Sequence, residues 1–451
     1  MKEEIFDYFD EYTEMADSET FVTLEDDCRE QARNWSKRIN NESREWPVYL
    51  QMLALKGFQH WIKQRQPDLA IDVSQTSVLN QAYANVMDAV CHCKVGDFDV
   101  CLLPIWGIQP ADEILLPRAV VDLPEFAAHF YVIIGIDESQ EQAAIQGFLN
   151  YDQIVAACDS IEPDMDWNYP LLAEDFEADV SNLPLNLSCL NAGSILLPVI
   201  PKNRQAVLRK FQPILEDLLP QIQKQPLWKV LTWEQATVVL TNADLLKWLW
   251  YRPSIAEEVL KTACLDLWQL VCRPAMNVYR WTQGQLDTIT SESNWSLALA
   301  TATRSSGTDL DTRFGNQCSD QTLVSLLKEI STDIPLEESV NSSVYQDIGF
   351  KFKPVRVYAA VWNSPAMENT WNLLLIAGAL PGDNPPEGLR LRISDVTGVL
   401  MDDVLVTEAG ESYIYGQVQG SFDEKFLVTL TDVNGEVKSL HPFEYQAEVS
   451  L

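Results

Sequence analysis

The first periodic signal along the chain is helical. Residues 23–40 read as a helix, with Thr23 as its cap and Glu25, Asp26 and Asp27 in the first turn, where carboxylates meet the positive end of the helix dipole. Pro47 opens a second helix, in which Val48, Met52, Leu55, Phe58 and Ile62 recur at helical spacing and form one apolar face. That helix ends before Pro67. From 73 to 154 the period shortens to two. Residues 90–95, a turn at Gly96-Asp97 and residues 100–103 carry the signature of a β-hairpin. Residues 131–136, a polar turn at 137–140 and residues 144–148 form a second. Helices followed by hairpins predict an α+β domain.

Beyond it the pattern breaks. The 159–179 stretch holds Glu162, Asp164, Asp166, Glu174, Asp175 and Glu177, is punctuated by Pro163 and Pro170, and has no basic residue. It reads as a linker or exposed loop, followed by an apolar, proline-punctuated connection. Helical periodicity returns after 202: Leu208, Phe211, Leu215, Leu218 and Ile222 share a face, although Pro213 and Pro220 interrupt it. Ser254-Ile255-Ala256-Glu257 is a capping box that starts a helix ending before Pro274. Residues 282–338 are polar, with a short helix expected at 320–329. After 351 the period is two again, with strands at 355–362, 371–376, 389–393, 399–406, 413–418 and 426–430. Turn signals separate them, including Gly382, Gly398, Ala409-Gly410 and, clearest of all, Asn434-Gly435. Short strands at this spacing predict a β-sandwich.

The expected fold class is therefore α+β: an N-terminal mixed helix and β-hairpin domain, a helical middle and a C-terminal antiparallel β-sandwich. The expected boundaries are an acidic leader at 1–20, the α+β domain at 21–158, an acidic linker and connection at 159–201, a helical region at 202–281, a polar linker with a short helix at 282–350 and the sandwich at 351–451.

Charge then narrows the function. The chain carries 66 Asp and Glu against 32 Lys and Arg, a net charge of −34. Such a surface repels nucleic acid and anionic membrane and attracts basic partners. With 47% hydrophobic and 22% charged residues this acidity does not signal disorder, and fourteen Trp can fill large cores. The leader interleaves its acids with Phe6, Tyr8, Phe9 and Tyr12, which suits either a solvated segment or a docking segment. No basic and apolar signal segment and no run of about 18 apolar residues is present, so a cytoplasmic protein is expected. Nine cysteines, an odd number spread over a long chain, read as reduced and mostly buried thiols.

Candidate chemistry is sparse. Cys91, His92, Cys93 and Cys101 form the densest group of metal-ligand types. On a strand Cys91 and Cys93 share a face and the hairpin can bring Cys101 opposite them, but His92 points the other way, so the four do not converge on one ion. His60, His92, His129 and His441 lie in no nucleophile, zinc-protease or phosphate-loop motif. A Cys–His pair remains open, because such partners meet in space, and His129 with Cys101 is the candidate. The acid pairs Asp97/Asp99, Asp164/Asp166 and Asp309/Asp311 arise readily by chance among so many acids, and Asp432 to Glu436 reads as a hairpin turn rather than a calcium loop. Trp228, Trp233, Trp248, Trp250 and Trp268 cluster in the helical middle as core or as an aromatic patch. No residue is assigned as catalytic, cofactor-binding or metal-ligating.

Three stretches carry a family resemblance. They are Phe21-Val22-Thr23-Leu24 with the helices that follow; Tyr131-Val132-Ile133-Ile134-Gly135-Ile136-Asp137-Glu138-Ser139 with Ala144-Ile145-Gln146-Gly147-Phe148; and Pro386-Glu387-Gly388-Leu389-Arg390-Leu391 with Tyr413-Ile414-Tyr415 and Phe422-Asp423-Glu424-Lys425-Phe426. Together they resemble uncharacterised cyanobacterial proteins grouped as a domain of unknown function. The resemblance brings no activity or catalytic residue. It implies a regulatory context, since such proteins are encoded near sigma-type regulators and caspase-like CHAT or CHASE-type proteins. The acidic leader and the polar 282–338 stretch depart from that pattern.

The expectation is a non-enzymatic regulatory or adaptor protein whose partner is a protein with a basic patch, with no nucleic acid, membrane or cofactor involved. One alternative is a hydrolase built from Cys91, Cys93 or Cys101 with His129. The other is a cation-binding module using the acids of 159–179.

Overall fold

A computed structural model describes residues 20–447 apart from 75, 88–90, 109–111, 223–224, 252–256, 300–320, 331–341, 352, 364–368, 381 and 407–411. The acidic leader through residue 19, the capping box at 254–256 and the Ala409-Gly410 turn lie outside the described residues. The protein is α+β and divides into two compact units, Met1–Tyr251 and Arg252–Leu451.

The first unit is built on a six-stranded sheet of β1 (Phe21–Thr23), β2 (Ile71–Asp72), β3 (Cys91–Val95), β4 (Phe98–Trp106), β6 (Phe130–Asp137) and β7 (Gln142–Asn150), in the order β1-β7-β6-β4-β3-β2. Neighbours are antiparallel except β4 and β6, which run parallel. The chain between them passes through β5 (Glu113–Pro117) and the short helix α4 (Arg118–Asp122). Helix α1 (Asp26–Ser36) precedes α2 (Glu42–Arg65), which covers one face of the sheet. Phe58, Trp61 and Ile62 of α2 share an apolar cluster with Val100, Leu102, Val132, Ile134 and Ile145. Gly57 permits the close approach: a methyl group there would stand 2.6 Å from Ala143 Cβ.

Both helices begin elsewhere than expected. Thr23 belongs to β1, paired with Gln142, so α1 starts behind Glu25. Helix α2 is capped by Asn41, whose side chain accepts the Ser43 N–H, and runs through Pro47. Burial along residues 48–62 outweighs the one hydrogen bond that the proline removes.

Where an acidic linker is expected, the chain is structured. Helix α5 (Tyr151–Cys158) leads to β8 (Asn168–Leu172), which pairs with β5, and then to α6 (Asn182–Cys189). The acids hid the alternation in β8, where Tyr169 and Leu171 are buried and their neighbours are not. The helical run is also divided between the units. Helices α7 (Arg204–Ile222), α8 (Leu227–Val230), α9 (Trp233–Leu240) and α10 (Ala243–Tyr251) belong to the first, as does the short α3 (Gln81–Ala84).

The second unit begins with α11 (Glu257–Cys272), β9 (Met276–Asn277), α12 (Val278–Thr282) and α13 (Thr288–Glu292). One sheet orders β10 (Ser296–Leu299), β11 (Ser342–Ile348), β12 (Val355–Asn363), β13 (Thr370–Ala379) and β16 (Tyr413–Ser421). The other orders β15 (Val399–Val404), β14 (Arg390–Ser394), β17 (Lys425–Thr431), β19 (Phe443–Glu444) and β9, with β18 (Val437–Ser439) also paired to β17. Val357, Val361, Trp371 and Leu373 from the first meet Leu391, Ile393, Val428 and Leu430 from the second in one apolar cluster. The reverse face of the first sheet packs Tyr358, Trp362, Leu374 and Ile376 under Leu323, Leu327 and Ile330 of α14 (Gln321–Ile330). Leu270 of α11 covers Val396 and Leu427 behind the second. Two-sided cover explains why β12 and β13 read as unbroken apolar runs. β10 and β11 lie within the expected polar linker. Ser342 and Ser343 are fully buried, so this strand is lined by hydroxyls that composition reads as loop.

Candidate functional site

Polar side chains of the first unit come together on β2, β3 and β4. The two-residue turn at Gly96-Asp97 fixes the register. It pairs Val95 with Phe98, Lys94 with Asp99, Cys93 with Val100 and His92 with Cys101. On the outer side Lys94 pairs with Asp72. Side chains alternate along a strand, so His92 and Lys94 share one face with their partners Asp99 and Cys101. Cys93 faces the apolar cluster beneath α2. This corrects the sequence reading of the hairpin: Cys101 stands opposite His92, not opposite Cys91 and Cys93. A one-residue difference in register exchanges the two faces.

On this face lies a cavity of about 470 Å³. His92, Lys94 and Asp99 line it from the sheet; Ser77, Asn80 and Tyr83 line it from the turn at Ser77–Leu79 and from α3; Glu125 and Phe126 line it from the chain after α4. Most of these groups already have structural work. Glu125 accepts two hydrogen bonds of 2.9 Å from the Arg204 guanidinium. Asn80 caps α3 by accepting the Ala82 N–H. Ser77 Oγ and His92 Nε2 are buried without a hydrogen-bond partner. The Phe126 carbonyl accepts from the His92 ring, which leaves that contact to Nδ1.

His129, the residue before β6, meets the site through Asp99. Its Nδ1 accepts the Asp99 backbone N–H at 2.9 Å and stands 3.5 Å from Asp99 Oδ2. The neutral ring therefore carries its proton on Nε2. It also packs edge-on against Phe98, with centroids 5.6 Å apart. Burial pushes the pKa of both His92 and His129 down, against an opposing pull from Asp99. Burial pushes the Cys93 thiol up to about 12 and the Cys101 thiol up as well. Tyr83 is raised by burial, then by Glu125 and Asp244.

A Cys–His pair works either through a thiolate or through a neutral imidazole that takes the thiol proton. Burial raises the Cys93 and Cys101 thiols and Nδ1 of His129 is engaged by the backbone, while Nε2 of His92, the residue paired with Cys101, has no hydrogen-bond partner among the described residues. The side chain of Cys91 lies outside the described residues. The cavity presents a lone pair, hydroxyls, an amide, carboxylates and one ammonium.

The acids of 159–179 are turn and cap acceptors where the structure shows their bonds. Asp164 Oδ1 accepts the N–H groups of Asp166 at 2.9 Å and Asn168 at 2.8 Å. Glu177 accepts from Asn182 at 2.6 Å, and Asp179 holds Ser181. Asp432 likewise accepts the N–H groups of Asn434 and Glu436 in the hairpin turn joining β17 and β18, where Gly435 has φ 82°. Among the described residues no group of three or more His, Cys, Asp or Glu is arranged to hold a metal ion. Asp309 and Asp311 lie outside them. No helix among the described residues is long and apolar enough to cross a membrane.

The chain is an α+β protein in two units, with a polar cavity on the sheet of the first. The chain belongs to the family described as a protein of unknown function (DUF1822), whose model matches residues 22–438. No curated protein matches it.

Proposed function

We propose that this chain is a non-enzymatic regulatory or adaptor protein that acts by binding another protein, and that its second unit works as an antiparallel β-sandwich. The observation that carries the reading is the chemistry of the sheet-face site. Its imidazoles are kept neutral by burial, and burial raises the neighbouring Cys93 and Cys101 thiols. Such groups can donate and accept hydrogen bonds to a partner's polar side chains, which supports a recognition role. A net charge of −34 on a chain with well-packed cores supports a partner of opposite charge. The sequence resemblance adds a context, in which a caspase-like or sigma-type regulatory protein is the partner and the compartment is the cytoplasm.

Affinity capture of the tagged full chain from its native cells, in low and in high salt, tests the proposal. A stoichiometric protein partner with a basic surface, lost at high salt, is the expected result. Recovery of the chain alone under both conditions, together with turnover in a hydrolase screen that is abolished by Cys93→Ser or Cys101→Ser, would overturn it in favour of the Cys–His reading.

A further inference from the structure

Two tryptophans of the first unit stand in solvent side by side. Trp46, near the start of α2, is 48% exposed, and Trp106, the last residue of β4, is 56% exposed. Their ring centroids are 5.0 Å apart at an interplanar angle of 59°. Behind them lies buried Tyr49, 5.6 Å from the Trp46 ring. Its hydroxyl donates to Glu138 Oε1 at 2.9 Å, and the same oxygen takes Arg33 Nη2 at 2.5 Å. The base of the aromatic group is therefore fixed, and the nearby Arg33 charge is already taken by Glu138.

Around the pair the free charge is negative. Glu42 lies four residues before Trp46, on the same helix face, and Glu45 directly precedes it. Both are exposed, and neither has an ion-pair partner among the described residues. An indole face attracts a cation through its quadrupole, more strongly than Tyr or Phe. Adjacent carboxylates add charge attraction and a second set of acceptors for a guanidinium. Interfaces concentrate their binding energy in Trp and Arg.

We propose that Trp46 and Trp106, with Glu42 and Glu45, form the docking point for an arginine-bearing basic segment of a partner protein. The inference rests on the binding reading above and gives it a place. Charge selects this occupant. Phosphates of a nucleic acid or lipid would meet carboxylates, and a second copy of this chain would bring a further net charge of −34.

The test uses the purified full chain and a dye-labelled peptide of alternating Gly and Arg, with Gly-Lys and Gly-Glu versions beside it, read by fluorescence anisotropy. Wild type should bind the Arg peptide more tightly than the Lys peptide, and the Glu peptide not at all. Trp46→Ala and Trp106→Ala should each weaken Arg-peptide binding about 3- to 5-fold and the pair about 10- to 20-fold. Trp→Phe at either site should restore part of the loss. The double variant Glu42→Gln, Glu45→Gln should flatten the salt dependence. Unaltered binding by both tryptophan variants would overturn this placement and leave the general binding reading standing. Equal binding of Arg and Glu peptides by wild type would overturn both. Since each indole is half in solvent, Trp106→Ala serves should Trp46→Ala disturb the fold.

Discussion

Burial, more than any charged partner, sets the chemistry of the reactive side chains. Cys28, Cys93, Cys101 and Cys158 are buried, and their thiols are raised chiefly by desolvation, whereas Cys189 is exposed. Iodoacetamide at about pH 7.5 should therefore label Cys189 quickly and leave Cys93 and Cys101 unmodified until the chain is unfolded. Peptide mass mapping checks this, and rapid labelling of Cys93 in the native state would revive the catalytic alternative. The imidazoles give a separate test with a definite sign. His92 and His129 have pKa values lowered from 6.5 by burial, so the unfolded chain takes up protons that the folded one resists. Their contribution to stability is fully present above about 6.5 and is lost as pH falls below that value. The urea midpoint should drop between pH 7.5 and 5.5, and His92→Gln should show a smaller drop; an unchanged midpoint would contradict the assigned burial. Asp137, lowered chiefly by Ser139, and Glu138, lowered chiefly by Arg33, act only in the more acidic window beneath 3.8 and 4.5. The sequence displayed these residues but not their partners. Whether Cys101 meets His92 or Cys93 turns on one residue of hairpin register, which a Gly-Asp turn leaves open until the strands are paired.

Among the elements, helix α2 determines how the first unit is assembled. It presents thirteen buried residues along its length, too many for one amphipathic stripe, because the sheet, α1 and the chain around Val78 enclose it. Gly57 lies where it passes closest to β7. Ala would gain about 0.5–1 kcal/mol of helix propensity, but its methyl would meet Ala143 Cβ at 2.6 Å, and overpacking of that kind costs about 1–3 kcal/mol. Gly57→Ala should therefore lower stability by about 1–2 kcal/mol in urea unfolding; a stabilised variant would show that the helix can move away from the sheet. At this scale much was legible. The apolar stripe of α2, both hairpins and most C-terminal strands follow from their periods. Two of the misses share a cause: polar composition concealed regular backbone. β8 hid among acids, and β11 is paved with Ser342 and Ser343, whose burial comes from pairing with β12 and not from apolar side chains.

For the molecule as a whole, the acid excess is its dominant electrostatic property, and packing is what allows the chain to carry it. Repulsion among 66 acids is tolerated because the apolar cores of the two units hold without them and because many carboxylates serve as caps and turn acceptors. The charge was readable from composition alone. The aromatic platform was not, since Trp46 and Trp106 lie 60 positions apart and only the path of β4 past the start of α2 brings them together. Once a partner has been captured and purified, the decisive measurement is its association rate with the full chain across ionic strength. Electrostatic docking predicts a rate that falls roughly tenfold or more between about 0.05 and about 0.3 M salt as the Debye length shortens, with dissociation changing less. An association rate that stays flat across that range would contradict the claim that the acidic surface guides this protein to its partner.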